Sequence, residues 1–161
     1  MHRKIILFAC VVVAIVLALS SVSIAHNRSE YAIKEEKLIS SIQKFIEIQN
    51  NAETPEYKTM YWEMLSKQTR DKLIQQRGSL EAAQSEVWII LQQIVDAQRH
   101  VELLGIEYME IVGNVATVVL RVRVTELNKD PVEISTVHKY RWENEEWRFI
   151  DWLVEPEMYQ E

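Results

Sequence analysis

Apolar residues recur along the chain in three different patterns, and each pattern predicts a different structure. From Ile5 to Ala25 the only polar side chains are serines, so this segment is uniformly apolar over the roughly 20 residues that a bilayer span requires. From about Glu30 to Asn50 the apolar positions Leu38, Ile39, Ile42, Phe45 and Ile46 return every three or four residues with Lys and Glu between them. That spacing predicts an amphipathic helix. "NNAETPE" interrupts it, and Thr54 followed by Pro55 predicts a new helix start, because the threonine oxygen can cap and proline suits the first helical position. Tyr57, Met60, Tyr61, Met64 and Leu65 line one side of this second helix. It is expected to pause near Ser66 and to continue briefly through Leu73 and Ile74 until Gly78 ends it. Ser79 then caps a third helix whose predicted buried stripe is Leu80, Ala83, Val87, Ile90, Leu91, Ile94 and Val101.

After Gly105 the period changes to alternation. "IEYMEIV" predicts a strand, Gly113-Asn114 a turn and "VATVVLRVRVTEL" a long strand. "NKDP" closes a hairpin, "VEISTVHKYRW" returns, and "ENEE" turns the chain into "EWRFIDWL". Strands joined by turns this short must be antiparallel. The predicted class is therefore α+β, with about three helices packed on one face of a curved antiparallel sheet of about four strands. No internal repeat, low-complexity tract or Pro/Gly/Ser linker divides it.

The N-terminal pattern sets the expected location. "MHRK" is a short basic region, the apolar run follows, and Ser23-Ile24-Ala25 is an acceptable small-x-small cleavage site. The segment 1–25 reads as a signal peptide or a transmembrane anchor, and 26–161 as the folded domain. Both readings place Arg3 and Lys4 inside and everything after His26 outside the cytoplasmic membrane, held there through residues 5–25 if uncleaved. "LFAC" (Leu7 to Cys10) looks like a lipoprotein box but lies within the apolar run instead of closing it. Cys10 is the only cysteine, so the domain forms no disulfide and depends on packing. Asn27-Arg28-Ser29 fits a glycosylation sequon, which matters only in a glycosylating host.

Charge and motif content exclude several function classes. The formal charge is −6, and removing residues 1–25 takes away two cations and no acid, leaving −8. Binding phosphate backbones needs clustered Lys and Arg, so nucleic acid is set aside as a partner. His2, His26, His100 and His138 show no metal-ligand spacing, and three glycines form no phosphate loop, nucleophile elbow or dinucleotide fingerprint. No cofactor and no metal are predicted. Trp62 and Trp88 lie beside apolar helical stripes, where packing is their expected role.

The helices carrying "YWEMLSKQTRDKL", the strand "GNVATVVLRVRV" and the terminal "YRWENEEWRFIDW" together resemble the nuclear transport factor two-like, or cystatin-like, cone superfamily, in particular its small exported bacterial members. The matching positions are Leu65, Ser66, Thr69 and Arg70, then Gly113, Ala116 and Val118, then Trp147, Arg148, Phe149 and Ile150. The resemblance covers most of residues 30 to 153 and implies a cone-shaped fold. It implies no single function, since the superfamily hosts enzymes, binding proteins and assembly modules. It also implies that dimers form through the sheet.

The richest candidate chemistry lies in "VHKYRWENEEWRFIDW". If Trp142 faces Trp147, Tyr140 faces Phe149 and His138 faces Asp151 on one side of the sheet. The preceding hairpin is expected to pair Leu120 with Tyr140, Val122 with His138 and Val124 with Thr136. Enzymes of the superfamily place His and Asp inside the cone as an acid/base pair, so His138 and Asp151 are the catalytic candidates. The plainer reading is a partly buried histidine satisfied by a carboxylate. Tyr140, Trp142, Trp147 and Phe149 are either core or the wall of a ligand site. Arg121, Arg123, Lys139, Arg141 and Arg148 share the opposite face and could meet an anionic ligand or partner, or be balanced by Glu126, Glu133, Glu143 and Glu145.

Three functions stay open. The favoured one is an exported or tethered non-catalytic domain that binds a protein partner in the cell envelope or itself. The second is a carrier or sensor of a small apolar or amphipathic molecule, and the third a lyase or isomerase using His138 and Asp151.

Overall fold

In the computed structural model the described residues are 30–150, and the chain divides into two compact units between Lys37 and Leu38. The segments 1–25 and Asp151, on which the export and His–Asp expectations rest, lie outside the described residues. Among the described residues no helix is long and apolar enough to cross a membrane. The first unit is described over residues 30–37, the opening turns of helix α1 (residues 30–50), where Lys34 pairs with Glu30 at 3.0 Å.

The second unit begins with the rest of α1. Leu38, Ile42, Phe45, Ile46 and Ile48 on α1 are buried, as the helical spacing predicts. Helix α2 (Pro55–Met64) starts at Thr54, whose side-chain oxygen accepts from the Tyr57 N–H, with Pro55 in the first turn. The expected pause at Ser66 is a complete break, so there are four helices where about three were predicted. Leu65 is extended (φ −65°, ψ 143°) and forms a one-residue bridge to Phe149, and the Ser66 N–H donates to the Phe149 carbonyl at 2.8 Å. Ser66 then caps α3 (Lys67–Arg77), which Gly78 ends in the left-handed conformation at φ +80°. Ser79 caps α4 (Leu80–Asp96).

Strands β1 (His100–Val112), β2 (Val115–Thr125), β3 (Val132–Glu143) and β4 (Glu146–Ile150) form one antiparallel sheet in chain order. This is the α+β meander that alternation predicts. Three details correct the prediction. First, α4 ends at Asp96, so Val101 belongs to β1. Of the remaining predicted stripe, Ala83, Val87 and Leu91 are buried, whereas Leu80 and Ile90 are exposed.

Second, β1 begins at His100 and runs through Gly105 instead of starting after it. Irregularities in its pairing with β2 between Leu103 and Gly105 and between Ile106 and Tyr108 shift the alternation twice. Val101, Leu103, Ile106, Met109 and Ile111 consequently pack toward the core at uneven spacing that no longer reads as a strand.

Third, the β2–β3 register differs from expectation. Tyr140 lies opposite Ala116, His138 opposite Val118 and Thr136 opposite Leu120. The cause is the turn. The Leu127 N–H donates to the Ala97 carbonyl at 3.1 Å and Asn128 adopts φ +60°. Residues 126–130 therefore leave the ladder early to bind the α4–β1 connection. The offset is an even number of residues, so every side chain keeps its predicted face. The second hairpin has the expected register, with Trp142 opposite Trp147 and Tyr140 opposite Phe149.

One apolar face of the sheet and the helices enclose a single cluster that includes Leu65, Leu91, Val118, Leu120, Tyr140 and Trp147. Interdigitated apolar packing of this kind is what holds a disulfide-free domain together.

Candidate ligand-binding cavity

The sheet is not sealed evenly by its helices. A cavity of about 440 Å³ lies where α1, α4 and β3 meet. Phe45 and Gln49 from α1 line it, as do Ile90, Gln93 and Ile94 from α4, with Thr136 and His138 from β3 and Phe149 from β4. A smaller space of about 140 Å³ adjoins it and shares Gln49, Arg99, Thr136 and His138. A third, of about 360 Å³, shares Arg99, Val124 and Ile134 with the second. Together they trace an apolar path from the helix cleft along β3 toward the β2–β3 turn. The volume of the first falls in the range usual for small-molecule sites.

His138 sits in the wall of the cavity. Its ring meets Phe45 edge-on at a centroid distance of 5.1 Å, and Phe149 at 5.5 Å. Burial among these rings lowers its pKa to about 4, so the imidazole is uncharged at neutral pH. The buried Nδ1 of His138 and the buried Oγ1 of Thr136 have no hydrogen-bond partner. The two residues are two apart on one strand, so both face the cavity side of the sheet. Buried polar atoms are rarely left in this condition, because each carries a desolvation cost of about 1–3 kcal/mol.

The rim carries charge that is already matched. Arg99 binds the Glu126 carboxylate through Nε at 2.7 Å and Nη2 at 2.6 Å, and Lys129 pairs with the same carboxylate. The Lys129 and then the Arg99 hydrogen bonds hold the Glu126 carboxyl below its ordinary range.

The other residues singled out in the sequence are placed as follows. Tyr140 and Trp147 are almost fully buried in the core, at 0% and 2% exposure, and Trp142 packs on Trp147 at 5.1 Å. Of the four aromatic candidates, Phe149 alone reaches the cavity. Arg121 and Arg123 both bind Glu133, at 2.8 and 2.9 Å, and Arg123 also binds Glu102 at 2.8 Å. The expected balancing acid Glu133 does its part, and Glu102 joins it. Arg141 donates to Gln68 at 2.6 Å, and Lys139 is buried. Glu143 instead accepts from the Lys67 N–H at the start of α3.

Among the described residues no carboxylate is hydrogen-bonded to His138, and a base whose pKa is near 4 is poorly matched to proton abstraction at neutral pH. The arrangement is better suited to holding a molecule than to moving a proton. Sequence reasoning did not single out Gln49, Arg99 or Thr136. A signal existed for two of them. Thr136 is on the same strand face as His138, and Gln49 is a polar residue on the stripe of Phe45 and Ile46. Arg99 carried no such signal. No model of a known protein family matches the chain, and no curated protein matches it.

Proposed function

We propose that this chain is a non-catalytic domain that binds a small amphipathic molecule in the cleft between α1, α4 and β3. The observation that carries this reading is the cavity of about 440 Å³ with apolar walls and two convergent unpartnered polar atoms. Membership of the cone superfamily and an extracytoplasmic, membrane-tethered or secreted location belong to the same proposal. They rest on the α+β meander and on the apolar run of residues 5–25. Such a domain would act as a carrier or sensor in the cell envelope.

The test is photolabelling of the full chain in lipid nanodiscs with a diazirine-bearing decane. Saturable labelling of peptides containing Phe45, Ile90 and Val137 is expected. An Ile90→Trp change, which fills the cleft from a partly exposed position, should abolish that labelling without lowering the melting temperature. Labelling that rises linearly with probe, or that survives Ile90→Trp, would overturn the reading.

A protein-binding role is supported by a different feature. Ser85, Trp88, Ile89 and Gln92 form an exposed, uncharged stripe on α4. If this stripe docks a partner, a photoreactive amino acid at position 88 will give one discrete cross-linked adduct in native membranes, and a featureless smear would count against it.

A further inference from the structure

The polar atoms of the cavity constrain what its occupant can be, given that the binding reading holds. We infer that the site selects an uncharged amphiphile: an apolar body with a hydroxyl or amide end held between Thr136 and His138.

Three observations lead there. The first is that Thr136 Oγ1 and His138 Nδ1 are the buried side-chain atoms at this site left without partners. A hydroxyl both donates and accepts, as does a neutral imidazole across its two nitrogens. Their natural complement is a group that can also do both, such as an alcohol or a primary amide.

The second is the charge balance of the rim. A carboxylate or phosphate entering the cleft needs a cation, and the nearest one lining it, Arg99, is bound twice to Glu126. An ammonium needs an anion, and Glu126 is engaged by both Arg99 and Lys129. Either charged head would have to break an existing ion pair or enter an apolar site without a counter-ion, and an unpaired buried charge is costly.

The third is the shape of the path. From Thr136 and His138 the lining continues through Val122, Val124 and Ile134 toward the β2–β3 turn. These are aliphatic side chains with no donor or acceptor, which suits an extended hydrocarbon. The polar pair lies at the junction of the two inner spaces, so a ligand anchored there can send its apolar part along either.

Competition against the diazirine-bearing decane tests this on the full chain in nanodiscs, using decanol, decanoate and decylamine at measured free concentrations. Decanol should displace the probe at a concentration at least tenfold lower than either charged analogue. Changing Thr136→Val together with His138→Phe should bring the three within about threefold of one another, while the apolar probe still labels. Thr136→Ser, which keeps the hydroxyl, should retain the preference for decanol. Equal or stronger displacement by decanoate or decylamine overturns the head-group assignment and leaves the cavity reading standing. Failure of the apolar probe itself to label saturably overturns the cavity reading and this inference with it.

Discussion

The side-chain amide of Asn50 and the backbone of Val101 form a closed pair of hydrogen bonds. Nδ2 donates to the Val101 carbonyl at 2.8 Å, and the Val101 N–H donates to Oδ1 at 2.7 Å. Val101 lies on the outer edge of the sheet, so the end of α1 substitutes for a neighbouring strand there. This amide fixes one wall of the ligand cleft against the other.

Replacing Asn50 with Leu removes both bonds at a partly buried position and should lower stability by about 2 kcal/mol. Asn50→Asp should be no better, since a carboxylate then faces the Val101 carbonyl. Urea unfolding midpoints check this, and a midpoint equal to wild type for either variant would show that the clamp is dispensable.

The β3–β4 turn carries a correctable defect. Asn144 and Glu145 both have positive φ, +51° and +63°, the pattern of a type I′ hairpin turn that favours Asn-Gly. A side chain at the second position is strained, so Glu145→Gly should stabilise the protein by about 1 kcal/mol. The melting temperature should rise by a few degrees, and an unchanged or lower value would contradict the strain assignment.

Acid should destabilise the domain through His138. The ring has a pKa of about 4 when folded against 6.5 when free, because burial disfavours its charged form. Between those values the unfolded chain binds the extra proton, so stability is intact above about pH 6.5 and declines as pH falls toward 4. The loss attributable to this group is about 3 kcal/mol at its limit. Denaturant titrations of wild type and His138→Phe between pH 7.5 and 4 should show the wild type falling more steeply, and parallel curves would exclude His138 as the cause.

Ser66 joins three parts of the fold. Its hydroxyl accepts from the Thr69 N–H at 3.0 Å and shares a hydrogen bond with Thr69 Oγ1 at 2.9 Å, while its backbone N–H reaches β4. Ser66→Ala should cost about 1–2 kcal/mol through the lost cap. Hydrogen exchange should show the loss concentrated in the first turn of α3. Uniform loosening of all four helices would point to a different role.

Much of the fold was legible because local signals agreed with one another. Thr54-Pro55, Ser66, Gly78 and Ser79 mark helix boundaries through groups that satisfy or end a helix locally, and the structure uses all of them. The Trp142–Trp147 hairpin was equally readable, since a two-residue turn sets the register on both sides. The start of β1 was not readable, because two irregularities in the strand broke the alternation. The β2–β3 register was misjudged because a bond from Leu127 to Ala97, 30 residues apart, decides where the strand ends.

The candidate site divides in the same way. The alternation of β3 by itself placed His138, Tyr140 and Trp142 on one sheet face and the arginines on the other, since side-chain direction along a strand follows from the backbone alone. Whether those aromatics formed a wall or a core depended on how three-dimensional packing filled the space above them. Leu65 and Trp147 close one end of the sheet, whereas α1 and α4 diverge enough near Phe45 and Ile90 to leave a cleft beside His138. A residue's direction is set by its own neighbours in the chain. The volume next to it is set by elements dozens of residues away, and only the tertiary structure brings them together.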